Sequence, residues 1–300
     1  MEPIVIYCCS FARDVLRARR MAESVARHNQ DRLALYVSAP RDEVALFRDK
    51  VGSLATIIER DEIVAANPRL DPARVYALPG IKHQQVIKAE FWRLGIARNT
   101  LVLDSDCKFI RDFTRADFIA EGDVPYTVMH DGRDVLEFTA RHGPKRAQRE
   151  FLECRVPIMR EIGREGPVRD YGYAPYVWSA HVWRDLDERH LEPRGDTLVE
   201  AIDRAPSEFT WYGEALLRYR SIPVHARGEY FRFYHYEHQF WHDRSSRMNE
   251  TRLAKDWMGV VYQSNWETTT EYGPPTKSLR SRVARSVKRA VKLALHSART

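Results

Sequence analysis

The sequence has few cysteines and no long hydrophobic run. Its four cysteines, Cys8, Cys9, Cys107 and Cys154, form neither a C-x-x-C metal spacing nor a disulfide-like framework, which indicates free thiols in a reducing compartment. No stretch approaches the roughly 20 apolar residues that a membrane-spanning helix needs. The first ten residues are too short an apolar segment for a signal peptide. These absences predict a cytoplasmic globular protein.

Acidic residues are missing from the last part of the chain. Residues 276–300 carry eight lysines and arginines and no acid, so the overall net charge of +6 leaves −2 for residues 1–275. The basic isoelectric point therefore belongs to the tail and does not indicate a nucleic-acid-binding domain. Apolar and basic residues of the tail fall on opposite sides of a helix, after the break at Gly273-Pro274-Pro275. Such a helix suits an anionic membrane surface better than simple solvation or nucleic acid.

The composition leaves ample material for a core, because 44% of the residues are hydrophobic. Short β-branched runs alternate with helical periodicity through the first half. The predicted strands lie at residues 4–8, 33–37, 56–58, 101–103 and 124–129, and the predicted helices begin near residues 15, 43 and 81. Strands separated by helices predict an α/β fold with a mostly parallel sheet, whose ligands bind at the carboxyl ends of the strands.

The most informative motif is Asp104-Ser105-Asp106, which directly follows the apolar run Leu101-Val102-Leu103. Two carboxylates at the end of a strand repel one another unless a cation lies between them. Mg²⁺ and Mn²⁺ prefer oxygen ligands and are commonly held by one or two carboxylates together with substrate phosphates. The motif therefore predicts a metal site at Asp104 and Asp106, and the alternative is a solvated turn.

The order of these motifs resembles GT-A-fold glycosyltransferases. Gln84-Gln85-Val86-Ile87-Lys88 before Leu103-Asp104-Ser105-Asp106, and Ser207 to Gly213 after it, are similar to an uncharacterised group of bacterial glycosyltransferase-like proteins over residues 3–265. The resemblance implies a nucleotide-sugar donor whose diphosphate binds through Mn²⁺ or Mg²⁺. The H-x-x-G-x-x-K-P-W stretch of retaining enzymes is missing, so the usual third metal ligand has no clear match.

The resemblance also implies a set of donor-binding residues. Gln84 and Lys88 share a helix face, where a lysine could neutralise the diphosphate. Ser10 follows the first strand and could contact the nucleotide, cap the next helix, or do both. The predicted donor-binding residues are Ser10, Arg13, Asp61, Gln84, Gln85, Lys88, Asp104 and Ser105.

The acceptor side is predicted from the aromatic segment that follows Ser207. Glu208 could remove a proton from the acceptor hydroxyl or bind the acceptor, and it could equally stabilise the start of a Ser-capped helix. Trp211 and Tyr212 could stack on a sugar, although core packing is the commoner role of such rings. The predicted catalytic residues are thus Glu208 and Asp106.

Three histidines, His235, His238 and His242, have a spacing that a helix could bring to one side. A structural zinc site would need a further distant ligand, and none is evident. One of His235 and His238 could instead complete the metal shell of Asp104 and Asp106.

The sequence therefore predicts a metal-dependent glycosyltransferase that builds a surface glycan or glycolipid at the inner face of the membrane. Its catalytic domain would span residues 1–273, with a nucleotide-sugar half (1–130), an acceptor half (131–273) and a basic amphipathic tail (274–300). Two alternatives stay open: a HAD-like phosphatase, which also uses a D-x-D motif after a strand, and an inactive nucleotide-sugar-binding protein docked at the membrane.

Overall fold

The computed structural model describes residues 1–132, 149, 151–264 and 287. The chain divides into two units, Met1–Gln263 and Ser264–Thr300. Within the second unit only Ser264 and Val287 are described, so the predicted amphipathic helix of residues 276–300 lies outside the described residues. Residues 133–148 and 150 lie outside them as well.

The described residues form the following regular elements. The strands are β1 (Glu2–Cys9), β2 (Leu35–Ala39), β3 (Thr56–Glu59), β4 (Ala97–Leu103), β5 (Cys107–Phe109), β6 (Tyr126–Val128), β7 (Tyr176–Ser179), β8 (His225–Arg227), β9 (Phe231–Tyr234) and β10 (Gly259–Tyr262). The α-helices are α1 (Val15–His28), α2 (Val44–Val51), α3 (Arg60–Ala65), α4 (Pro72–Ala77), α5 (Gly80–Glu90), α6 (Val156–Ile162), α7 (Ala180–Leu186), α8 (Leu198–Arg204), α9 (Glu208–Tyr219), α10 (Glu237–Ser245) and α11 (Glu250–Leu253).

The central sheet has the strand order β3-β2-β1-β4-β7. β1, β2, β3 and β4 are mutually parallel, and β7 pairs antiparallel with β4. The inner strands are buried on both faces, which explains why β1 and β4 consist of nearly continuous apolar runs. The predicted α/β fold with a mostly parallel sheet flanked by helices is confirmed.

Helices cover the sheet with the apolar stripes that the sequence shows. Val15, Ala18, Ala22 and Val25 of α1 are buried, as their helical spacing predicts. No helix among the described residues is both long and apolar enough to cross a membrane. All four cysteines are free thiols, as their spacing predicts.

Two smaller sheets complete the first unit. β10 pairs antiparallel with β5 and parallel with β9, and β6 pairs parallel with β8. An aromatic cluster joins the first of these sheets to the core: the ring of Phe109 lies 4.1 Å from that of Phe113 and 4.9 Å from that of Phe231. β5 begins one residue after Asp106, so this sheet holds the chain that leaves the D-S-D motif.

The four parallel strands end at one edge of the central sheet, at Cys9, Ala39, Glu59 and Leu103. β7 runs the other way, so its first residue, Tyr176, lies at this same edge and pairs with Val102. The segments that leave this edge carry most of the predicted site residues.

Candidate functional site

The D-S-D motif forms a tight turn between β4 and β5. The backbone N–H of Cys107 donates to the carbonyl of Asp104 at 3.0 Å, and the N–H of Tyr262 in β10 donates to the carbonyl of Asp106 at 3.4 Å. The side chain of Asp104 is 34% exposed, whereas Asp106 is buried at 7%. The turn therefore presents one open carboxylate and one enclosed carboxylate at the edge of the sheet.

Lys88 of α5 lies beside this turn, as the sequence predicts. Its Nζ is 3.3 Å from Oδ1 of Asp104 and 2.6 Å from Oε1 of Glu208. Burial alone would lower the pKa of Lys88, but the charges of Asp104 and Glu208 outweigh burial and raise this pKa above its usual value. Lys88 is therefore a buried ammonium held between two carboxylates.

The two glutamines of α5 hydrogen-bond to backbone carbonyls near the carboxyl edge of the central sheet. Nε2 of Gln84 donates to the carbonyl of Cys9 at 3.0 Å, at the end of β1. Nε2 of Gln85 donates to the carbonyl of Pro206 at 3.5 Å, in the turn before α9. The Q-Q-x-x-K segment thus contacts the ends of β1 and β4 and the start of α9.

Glu208 is the first residue of α9, and it is buried at 3%. The structure pairs it with Lys88, so its carboxylate is not a free group in an open acceptor cleft. The predicted serine cap is wrong in its detail: the Ser207 hydroxyl bonds to Oγ1 of Thr210 at 2.6 Å, and its side chain caps no backbone N–H.

Trp211 and Tyr212 are fully buried, so neither ring is available for the predicted stacking on an acceptor sugar. Nε1 of Trp211 donates to the carbonyl of Ala205 at 2.9 Å, and the Tyr212 hydroxyl accepts from the N–H of Ser179 at 2.8 Å. Both rings are core residues in this structure, with their polar atoms satisfied. Core packing, the alternative noted for these aromatics, is what is observed.

Ser10 follows β1 and is completely buried. It is not a helix cap, because Phe11 and Asp14 occupy the cap positions that follow. Its carbonyl accepts from Nη2 of Arg60 at 2.5 Å, while its hydroxyl has no hydrogen-bond partner among the described residues. The end of β1 is thus tied to the residue that follows β3.

Arg60 also donates from Nη1 to Nε2 of His83, at 3.0 Å. Burial lowers the pKa of His83, and the neighbouring charge of Arg60 lowers it further. Arg60 was not singled out in the sequence, although its position two residues after the predicted strand 56–58 was a usable signal.

Asp61 and Arg13 lie at the periphery of the edge. Asp61 accepts a hydrogen bond from the Tyr76 hydroxyl and lies 3.2 Å from Nη2 of Arg41. The side chain of Arg13 is 57% exposed, with its guanidinium 5.1 Å from the centre of the Phe11 ring. Both residues are accessible to a ligand at the carboxyl edge.

The three histidines do not all lie on one helix: His238 and His242 belong to α10, and His235 precedes it. His235 follows β9, and α10 begins only at Glu237. The His235 ring lies 5.4 Å from that of Tyr173, and burial lowers the pKa of His235. The side chain of His238 lies outside the described residues.

A third metal ligand is not evident in the described parts of the chain, which contain no group of three or more His, Cys, Asp or Glu side chains arranged to hold a metal. Asp104 and Asp106 still match the donor set of Mg²⁺ or Mn²⁺ sites that use two carboxylates and complete the shell with phosphate oxygens and water.

The second half of the chain reaches the same edge through Tyr176. Burial raises the pKa of Tyr176, and the charges of Glu208 and Asp104 raise it further. The loop before Tyr176 holds Asp170, which accepts from Nη2 of Arg155 at 2.7 Å. The loop that contains Asp170 therefore leads to the carboxyl edge of the sheet through Tyr176, which pairs with Val102.

Comparison with known proteins gives one family and no characterised relative. No curated protein matches the chain. The profile of a family of unknown function, DUF6492, matches residues 3–272, which include the whole edge described above. The chain therefore belongs to the DUF6492 family.

Proposed function

We propose that this protein is a metal-dependent glycosyltransferase with a GT-A-like fold, which transfers a sugar from a nucleotide-sugar donor to a glycan or glycolipid. The observation that carries the proposal is the D-S-D turn at the carboxyl end of β4 with the Lys88 ammonium 3.3 Å from Asp104. Paired carboxylates and a buried cation at the edge of a parallel sheet form a suitable site for a diphosphate.

The donor diphosphate would lie over the D-S-D turn. Asp104 and Asp106 would hold Mn²⁺ or Mg²⁺, whose charge would stabilise the diphosphate as it leaves. Lys88 supports this role because it is buried, positively charged and held at a fixed position, so little reorganisation is needed when negative charge develops nearby.

The nucleoside part of the donor would extend towards β1 and β3. Asp61, beside the partly exposed Tyr76, follows β3. Ser10 follows β1, but its side chain is completely buried and is not accessible to a nucleoside in this structure. Arg13 is exposed near the same end of β1. The acceptor would approach from the Asp170–Tyr176 side, because β7 begins next to the end of β4.

A thermal-shift screen of nucleotide sugars, with and without Mn²⁺, tests the proposal. A ligand that binds only the folded state stabilises it by about 2.7 kcal/mol at one hundred times its dissociation constant. We expect at least one nucleotide sugar to raise the melting temperature, and only when Mn²⁺ is present. No shift with any donor would contradict the proposal.

The two alternative functions predict different results in the same series. A HAD-like phosphatase would release inorganic phosphate from p-nitrophenyl phosphate and would not need a nucleotide. An inactive binding protein would bind the nucleotide sugar but neither hydrolyse nor transfer it. Nucleotide-dependent stabilisation together with slow donor hydrolysis would support the glycosyltransferase.

The basic tail, residues 276–300, is proposed to bind the anionic inner face of the membrane. Each Lys or Arg near such a surface contributes about 1 kcal/mol through a potential that salt screens. We expect deletion of residues 276–300 to release the protein from phosphatidylglycerol-containing vesicles and to leave donor hydrolysis unchanged. Co-sedimentation of both forms to the same extent would show that the tail is not the anchor.

A further inference from the structure

Glu208 has a role that follows from the charges around Lys88. Glu208 and Lys88 are both nearly excluded from water, and their charged atoms are 2.6 Å apart, closer than Lys88 is to Asp104. A buried lysine needs a compensating charge, because transfer of an ammonium out of water is costly. Glu208 provides that charge from the first turn of α9.

The ion pair of Lys88 with Glu208 bears on the charge of Asp104. Glu208 cancels the charge of Lys88 at 2.6 Å, so the 34% exposed carboxylate of Asp104 keeps negative charge for a cation. Without the charge of Glu208, Lys88 would be neutralised by Asp104 alone. The partly exposed carboxylate of Asp104 would then form an ion pair with Lys88 and would be less available to a cation.

We propose that Glu208 is a positioning residue that holds Lys88 and thereby leaves Asp104 available to a divalent cation. This inference rests on the proposed function, since it assumes a metal at Asp104 and Asp106. It replaces the expectation that Glu208 acts as the base, because its carboxylate is buried against Lys88 and is not directed to an open cleft.

Gln85 supports this role of Glu208. Its amide contacts the carbonyl of Pro206, two residues before Glu208, so α5 and the start of α9 are joined at two places. The Lys88 ammonium and the Glu208 carboxylate are therefore held in place by two contacts between α5 and the start of α9.

The experiment measures the binding of Mn²⁺ alone, by the electron paramagnetic resonance signal of the free ion, together with the melting temperature. We expect Glu208→Gln to weaken Mn²⁺ binding by about tenfold, because Lys88 then competes for Asp104. The double variant Lys88→Met/Glu208→Gln removes both charges and should return Mn²⁺ affinity close to that of the wild type. A merely structural role would instead make the double variant at least as weak as the single one.

Glu214→Gln is the matched control. Glu214 is a fully buried carboxylate on the same helix, paired with Arg164 and with the hydroxyl of Tyr171, and it makes no contact with Lys88 in the described structure. It should lower the melting temperature and leave Mn²⁺ affinity unchanged.

The measurements distinguish a failure of the role of Glu208 from a failure of the proposed function. If Asp106→Asn abolishes Mn²⁺ binding but Glu208→Gln leaves it unchanged, the metal site stands and the role of Glu208 is wrong. If the wild type binds no Mn²⁺, alone or with a nucleoside diphosphate, the proposed function and the role of Glu208 both fail.

Discussion

Asp106→Asn should abolish Mn²⁺-dependent nucleotide binding and leave the fold intact. Asparagine has the shape of aspartate but no net charge, so the anionic oxygen that Asp106 would offer to the cation is lost. Asp106 is enclosed at 7% exposure, so water cannot readily replace its carboxylate. We expect the affinity for a nucleoside diphosphate in the presence of Mn²⁺ to fall by about a hundredfold or more.

Isothermal titration calorimetry with UDP, GDP and ADP, with and without Mn²⁺, measures this effect. Asp112→Asn is the control, because it makes the same chemical change at an exposed residue whose carboxylate pairs with His28. Equal affinity in the wild type and in Asp106→Asn would show that the D-S-D turn is not the diphosphate site. Loss of binding in both variants would indicate a general effect of net charge.

The central sheet could be predicted from the sequence because its strands are buried on both faces. Parallel strands covered by helices read as continuous apolar runs, and the run that ends at Leu103 is the clearest case. The place of the D-S-D motif followed from the rule that ligands bind where such strands end. The position of Lys88 near the motif depended on the resemblance to a family, since spacing alone allows a solvated helix face.

The partners of the site residues could not be predicted, because they come from distant parts of the chain. Glu208 meets Lys88 only when α9 packs against α5, and no local pattern encodes that contact. The backbone carbonyl of Ser10 and the guanidinium of Arg60 meet because β1 and β3 end at the same edge, although β2 lies between them. The order of the strands in the sheet determines which of these side chains and backbone groups meet.

The role of aromatic residues was also ambiguous in the sequence. Trp211 and Tyr212 lie on a helix whose face is buried by β7 and α7, and Phe231 belongs to a short strand that sequence periodicity does not distinguish from a helix or loop. Strands of three or four residues, such as β5, β9 and β10, give too few alternations to show a period of two. For this reason the sequence did not reveal that His235 follows a strand rather than lying on the helix of His238 and His242.

Gly259→Ala tests whether the small sheet holds the D-S-D turn in place. Gly259 begins β10 and pairs with Phe109 on one side and Phe231 on the other. A Cβ at this position would collide with the buried ring of Phe231 and lie 2.6 Å from the carbonyl oxygen of Lys108, two residues after Asp106. Because that carbonyl belongs to the backbone of β5, the collision can be relieved only if the strands separate.

We expect Gly259→Ala to destabilise the protein by about 3 kcal/mol, the upper part of the range for overpacked cores, and to weaken Mn²⁺ binding because β5 leaves directly from Asp106. Urea unfolding and Mn²⁺ titration measure the two effects. Gly228→Ala is the control, since no atom lies within 4 Å of a Cβ built there. Gly228→Ala lowers the conformational entropy of the unfolded chain as much as Gly259→Ala does. It should change the free energy of unfolding by less than about 1 kcal/mol. A destabilised Gly259→Ala that still binds Mn²⁺ normally would show that the D-S-D turn keeps its geometry without β10.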